Sequence, residues 1–284
     1  MWLLMFTLLA AVPLTSPSAA NSVVVVPVAN MYSKPETNAD VVSQAIYSEN
    51  VSILQDEHGW LHIETPDRYT GWIESSSLLR RAPYAISGRI ARVESLFASL
   101  YRERDITEHA PVVTIPLGTR LEITAEPDGS NGRWLAAQLP DGRSAWIQRG
   151  DVSFSLAKDS IPEVIAWSKR FLGLPYLWGG TSTFGFDCSG LTQTLYRRLG
   201  HLMPRDADLQ AAWSGLKPVA SDELQPGDLL YFGSGPEKIT HTGMYIGNGQ
   251  FINATTWEHP VVQISNLNDP HWTKLFVCAR RLKD

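Results

Sequence analysis

Two cysteines in 284 residues are too few for a disulfide framework or a zinc cluster. No His-Glu-x-x-His run occurs, so the usual metallopeptidase pattern is missing and no metal or other cofactor is expected. Basic residues are not in excess: 24 Lys and Arg stand against 29 Asp and Glu, a formal charge of −5. With no basic footprint, a nucleic-acid partner is not expected. Long hydrophobic runs are lacking too. The apolar stretch at residues 2–12 is too short to span a bilayer. Followed by the small residues Ser18-Ala19-Ala20, it reads as a secretory signal peptide cleaved near Ala20, although no Lys or Arg precedes it. No cysteine follows it, so no membrane anchor is expected. The expectation is an exported protein, periplasmic or extracellular, and monomeric.

What is present centres on Cys188. It ends a glycine-rich run that begins at Gly179-Gly180. Leu191, Leu195 and Leu199 then recur at every fourth position and Gly200 stops the pattern, which predicts a helix opening at Cys188. A thiol in a first helical turn meets unpaired N–H groups and the helix dipole, and both favour the reactive thiolate. The same position also suits a small buried hydrophobe. A nucleophile needs a base, and the rest of the chain must supply it.

Before that domain, short strand-like runs alternate with turn residues. They fall at residues 23–28, 51–54, 60–63 and 71–73, then again at 121–124, 134–137 and 145–147. Trp60 and Trp72 are twelve residues apart, as are Trp134 and Trp146. The repetition predicts two small all-β barrels in tandem, residues 21–82 and 83–152. Ser160-Ile161-Pro162-Glu163 is a capping box with proline in the first turn, and opens an α+β domain over residues 153–284. A short helix is expected at 207–214, with strands at 228–232, 241–246, 250–254 and 275–280. Cys278 falls in the last of these, and no bond to Cys188 is expected.

His241 opens the second of those strands, and Gly247-Asn248-Gly249 marks a hairpin. A two-residue loop would put His241 and Asn253 on opposite faces. A three-residue loop would set Asn253 opposite Gly243, diagonal to His241 on the same face, about 7–8 Å apart at Cβ. The second register is the expected one. It yields a Cys188–His241–Asn253 set, a variant of the catalytic triad. His58, His62 and His109 lie in the β segments, His201 follows a helix stop, and His259 and His271 flank prolines.

Phe186-Asp187-Cys188-Ser189-Gly190, His241-Thr242-Gly243-Met244-Tyr245-Ile246-Gly247 and Phe251-Ile252-Asn253-Ala254 resemble the nucleophile, base and third-residue blocks of NlpC-type papain-like cysteine peptidases. Pro175-Tyr176-Leu177-Trp178-Gly179-Gly180 and Pro204-Arg205-Asp206-Ala207 match two further blocks. With two Src-homology-3-like barrels in front, the chain is similar to the subgroup of γ-D-glutamyl-L-diamino-acid endopeptidases, or dipeptidyl-peptidases VI. The resemblance implies a papain-like catalytic domain and cleavage of the D-Glu–diamino acid bond in peptidoglycan stem peptides or muropeptides, preferably with a free N-terminal L-Ala. It implies that Tyr176, Asp187 and Ser189 bind that end, with Asp206 and, from the first barrel, Tyr69 as further contacts. Asp40 is an alternative at a place relatives fill with glutamate, and is not counted in the expected site. The third catalytic position, commonly histidine in the family, is here Asn253, which can orient an imidazole but carries no charge. Two rival readings are an amidase or acyltransferase on the same dyad, and a wall-binding protein with an idle catalytic domain.

Overall fold

The computed structural model describes residues 21–283 apart from 128, 130 and 131, so the expected signal peptide lies outside the described residues. The first segment forms β1 (Ser22–Val24), β2 (Val28–Tyr32), β3 (Val41–Ile46), β4 (Asn50–Glu57), β5 (Trp60–Glu64), β6 (Thr70–Glu74) and β7 (Leu78–Arg80). The second forms β8 (Ile90–Val93), β9 (Phe97–Tyr101), β10 (Val113–Pro116), β11 (Arg120–Ala125), β12 (Trp134–Gln138), β13 (Ser144–Gln148) and β14 (Val152–Ser153). The run expected as one strand at 23–28 is two strands, because Pro27 has no N–H to give a ladder.

The sheet orders are β3-β2-β6-β5-β4-β1-β7 and β10-β9-β13-β12-β11-β8-β14, one topology used twice. Register repeats with it: Trp60 faces Glu74 and Trp134 faces Gln148. Leu61, Ile63 and Ile73 fill the first core, and Leu135, Ala137 and Ile147 the second. The alternating tryptophans lie on the other face. Trp60 meets Tyr32 edge-on at 5.4 Å, and Trp134 meets Tyr101 in the same way at 5.8 Å. The repeated tryptophans therefore clip strands from outside, while the aliphatic residues beside them make the cores.

The third segment opens with α1 (Ile161–Arg170), where the Ser160–Glu163 capping box is formed. A small ribbon, β15 (Thr181–Ser182) and β16 (Gly185–Phe186), leads into α2 (Cys188–Arg198) and then α3 (Ala207–Ala212). β17 (Leu216–Val219), β18 (Leu229–Gly235), β19 (Lys238–Gly247), β20 (Gln250–Thr255), β21 (Val261–Asn266) and, after α4 (Pro270–Leu275), β22 (Phe276–Leu282) build an antiparallel sheet in the order β17-β22-β18-β19-β20-β21. Leu191 and Leu195 of α2 pack with Tyr231, Met244 and Ile252 of this sheet, so the cysteine helix lies on the sheet through its leucine stripe. Cys278 sits in β22, half-buried, and both cysteines are free.

The three segments share cores. Tyr47, from the first, lies in the core of the second, and Leu117, from the second, lies in the core of the third.

Candidate active site

Cys188 is the first residue of α2, and Asp187 is its N-cap. The cap carboxylate accepts the Gly190 N–H through Oδ1 at 2.7 Å and the Gly179 N–H through Oδ2 at 3.0 Å. Gly190 has to be glycine: a methyl group there would run into the Gly180 carbonyl oxygen. That close approach fits the glycine-rich run against the start of the helix, which fixes the direction of the thiol.

The Thr242 N–H lies close enough to the Cys188 sulfur to pull its pKa down, so the His241 end of β19 sits against the start of α2. His241 Nε2 and Asn253 Oδ1 are 3.0 Å apart. Asn253 is fully buried. Its Nδ2 donates to Gln263 O at 3.3 Å and to Ser265 Oγ at 3.0 Å. With both acceptors on the nitrogen side, Oδ1 is turned to the imidazole, so Nε2 carries the proton and Nδ1 is left free to accept one. Trp272 stacks on the imidazole, with centroids 5.0 Å apart and planes at 27°.

The hairpin that makes this contact corrects the expected loop. Met244 pairs with Ile252 and Tyr245 with Phe251, which is the expected strand register. The ladder then shifts so that Gly247 pairs with Gln250. The loop is thus the two residues Asn248 and Gly249, both at positive φ (54° and 72°), and a bulge after Tyr245 absorbs the extra residue.

The expected low-pKa resting thiol is also corrected. Burial pushes Cys188 up to about 12, and the Asp187 charge adds to this; the Thr242 N–H, Arg205 and the Ser189 N–H pull the other way. Burial lowers His241 to about 4, opposed by the Asn253 bond and aided by His271. The ring keeps some surface, but Trp272 is stacked on it and Phe232 lies beside it, so the downward direction holds. Both shifts favour a neutral thiol–imidazole pair at rest, because each charged form would lose its hydration.

The thiol opens into a cleft of about 710 Å³ lined by the third segment on one side and by Asp40, Val41, Val42 and Tyr69 of the first on the other. Asp187, Ser189 and Asp206 line it too. Tyr176 is near enough to Cys188 and Asp187 that their charges add to burial in raising its hydroxyl to about 12. All eight expected residues thus fall around one site. Asp187, however, is not free to meet an ammonium unaided. Arg205 Nη2 donates to its Oδ2 at 2.5 Å and Nη1 to its Oδ1 at 3.1 Å. Asp206 is the less committed carboxylate. It occupies the N-cap position of α3 but makes no side-chain cap bond. Burial raises its pKa, while Arg205 and the nearby Tyr69 hydroxyl pull it down.

Arg205, Asp40, Asp208 and Trp272 are the neighbours that sequence reasoning left out of the site. Arg205 stood in a recognised block; nothing in the sequence marked Trp272.

A buried thiol at a helix start, with an imidazole held by an amide, is the arrangement of a cysteine-nucleophile hydrolase. Residues 173–281 match the NlpC/P60 family, and residues 31–78 match the bacterial dipeptidyl-peptidase Sh3 domain. A γ-D-glutamyl-L-lysine dipeptidyl-peptidase of Bacillus cereus is 33% identical over 86% of this chain and 76% of its own. Dipeptidyl-peptidase 6 of Lysinibacillus sphaericus is 27% identical over 88% of this chain and 93% of its own. The crystal structure of an NlpC/P60 family protein from Bacillus cereus superposes with a TM-score of 0.81, at 26% identity, covering 92% of this chain and 99% of that one. The chain belongs to the NlpC/P60 family, and carries an Sh3 domain ahead of its NlpC/P60 domain.

Proposed function

We propose that the protein is an exported, monomeric cysteine peptidase that cuts the γ-D-glutamyl–L-diamino acid bond of peptidoglycan stem peptides with a free N-terminal L-Ala. In this reading residues 1–20 are the signal peptide, 21–82 and 83–152 are two Src-homology-3-like barrels, and 153–284 is a papain-like domain. The shared sheet topology supports the second barrel. Among the described residues no helix is long and apolar enough to cross a membrane.

The observation that carries the proposal is the cleft shared by Cys188 and the first β unit, in which Tyr69 faces Asp206 across the boundary. A wall of this kind suits a short peptide ending in an amine. Its ammonium would meet Asp206, with Ser189, Tyr176 and the partly neutralised Asp187 nearby. Cys188 Sγ attacks the γ-carbonyl carbon of D-Glu while its proton passes to His241 Nδ1. The carbonyl electrons move to oxygen, where the Cys188 N–H, unpaired at the helix start, donates to the oxyanion. Collapse breaks the C–N bond, and the diamino acid leaves as an amine protonated by His241. Water, deprotonated by His241, then hydrolyses the thioester and releases the thiol. Asn253 keeps Nδ1 aimed inward throughout.

The test is mass spectrometry of digests of L-Ala-γ-D-Glu-diamino acid and its N-acetyl form. Wild type should favour the free amine by about a hundredfold, because burying an unpaired charge costs a few kcal/mol. Cys188→Ala should be inert, and Tyr69→Ala should narrow the preference. Equal rates on both peptides in wild type would defeat the free-amine reading; hydrolysis by Cys188→Ala would defeat the nucleophile.

A further inference from the structure

Arg205 neither reacts nor takes up the peptide in the scheme above, yet it is the largest fully buried side chain among the described residues and the one cation among those lining the cleft. Its donors are spent in two directions. One fork grips both oxygens of Asp187, and Nη1 also reaches Ser189 Oγ at 2.8 Å. Asp187 and Ser189 flank Cys188 on either side. In the other direction Nε donates to Ser43 Oγ at 3.2 Å, on β3 of the first β unit. The backbone around Arg205 is held as well. Gln210 Nε2 donates to Ser189 O at 3.0 Å and Pro204 O at 3.0 Å, and Gln210 Oε1 accepts the Thr192 hydroxyl of α2 at 2.9 Å.

We infer that Arg205 is a positioning residue, which fixes the two neighbours of Cys188 through one guanidinium fork and, through Ser43, makes that alignment depend on the seated first β unit. The first unit then does more than wall the cleft. Its β3 also holds the glycine-rich run: Gln44 Oε1 accepts the Thr181 N–H at 3.1 Å, and Val41 packs where a side chain at Gly179 would stand. The groups facing the thiol are Tyr176, Asp187, Arg205 and the Thr242 and Ser189 N–H groups. Of these Asp187 opposes a sulfur anion, and Arg205 offsets it. A lysine keeps the charge, but one ammonium cannot span Asp187, Ser189 and Ser43 as a planar fork does.

This deepens the proposed nucleophile role, so the test reads the thiol itself. In the full chain, the rate of iodoacetamide alkylation at Cys188 is followed by peptide mass spectrometry, which separates it from Cys278. Melting temperature is recorded alongside. Arg205→Lys should alkylate about tenfold more slowly at pH 7.5, the effect of about one pKa unit at the thiol. Ser43→Ala should slow it about threefold through loss of one hydrogen bond, and Ser43→Thr, which keeps the hydroxyl, should restore it. Wild-type alkylation rates in variants whose melting temperature has dropped would make Arg205 a stabilising ion pair only, and overturn the inference. If Arg205→Lys does not fold, equal rates in Ser43→Ala and Ser43→Thr overturn it. Slowed alkylation in variants of a protein that cuts no γ-D-glutamyl bond would leave the positioning role standing and remove the proposed substrate.

Discussion

Asn253 shows how little freedom is left to an amide held beside a histidine. Its amide is pinned by Gln263 and Ser265 and so offers only its oxygen to His241. We expect Asn253→Ala to lower kcat about tenfold to a hundredfold, the worth of one hydrogen bond to the base, with melting temperature nearly kept. His241→Ala should cost far more, because it removes the base itself. Equal losses would mean that Asn253 does more than orient. Burial gives His241 a pH signature. The folded protein holds the ring neutral down to about pH 4, whereas the unfolded chain protonates it near 6.5. Between these values unfolding takes up a proton, so stability present above pH 6.5 is lost as pH falls through about 4. Thermal melts from pH 7.5 to 4.5 should fall less steeply in His241→Gln than in wild type. The acid limb of kcat/KM should also lie below the ordinary imidazole range. A limb near pH 6.5 would show that the ring is hydrated in the working enzyme.

At the scale of elements, two glycine contacts set the geometry. Gly190 lies against the Gly180 carbonyl, and Gly243 lies under Phe251 and Asn253. Gly190→Ala should push the start of α2 off the glycine-rich run. Its cost should appear in both activity and melting temperature, because a rigid carbonyl blocks relaxation. An unchanged melting temperature with full turnover would show that the run can yield. The hairpin after His241 carries a lesson of the same scale. Sequence identified the strands and their pairing, since only one register puts Asn253 on the histidine's face. It misread the loop, because Asn248-Gly249 at positive φ makes a two-residue turn and a bulge supplies the missing offset. Bulges leave no mark in hydrophobic alternation.

At the scale of the whole molecule the units interlock. Arg198, nearly buried, bonds Glu94 of the second unit at 3.0 Å, and Gln193 donates to Asp67 of the first at 2.7 Å. With Tyr47 and Leu117 each in a neighbour's core, calorimetry should show one unfolding transition. Leu117→Ala should destabilise that whole transition by about 3 kcal/mol, as an uncollapsed core cavity does. Two resolved transitions, with only one moved, would show independent units. The sequence by itself determined the repeated β units, the capped helices, the cysteine at a helix start and its His–Asn partners, because each rests on local periodicity or short spacing. Tertiary structure alone decided how those parts are tuned. The thiol's pKa rises because burial outweighs the helix start. Asp187 is spent on Arg205, whose partner Ser43 is distant in the chain, and Tyr69 reaches Asp206 only once the first unit is seated. Desolvation and pairing between units depend on what packs against a residue, and no local pattern of residues records that.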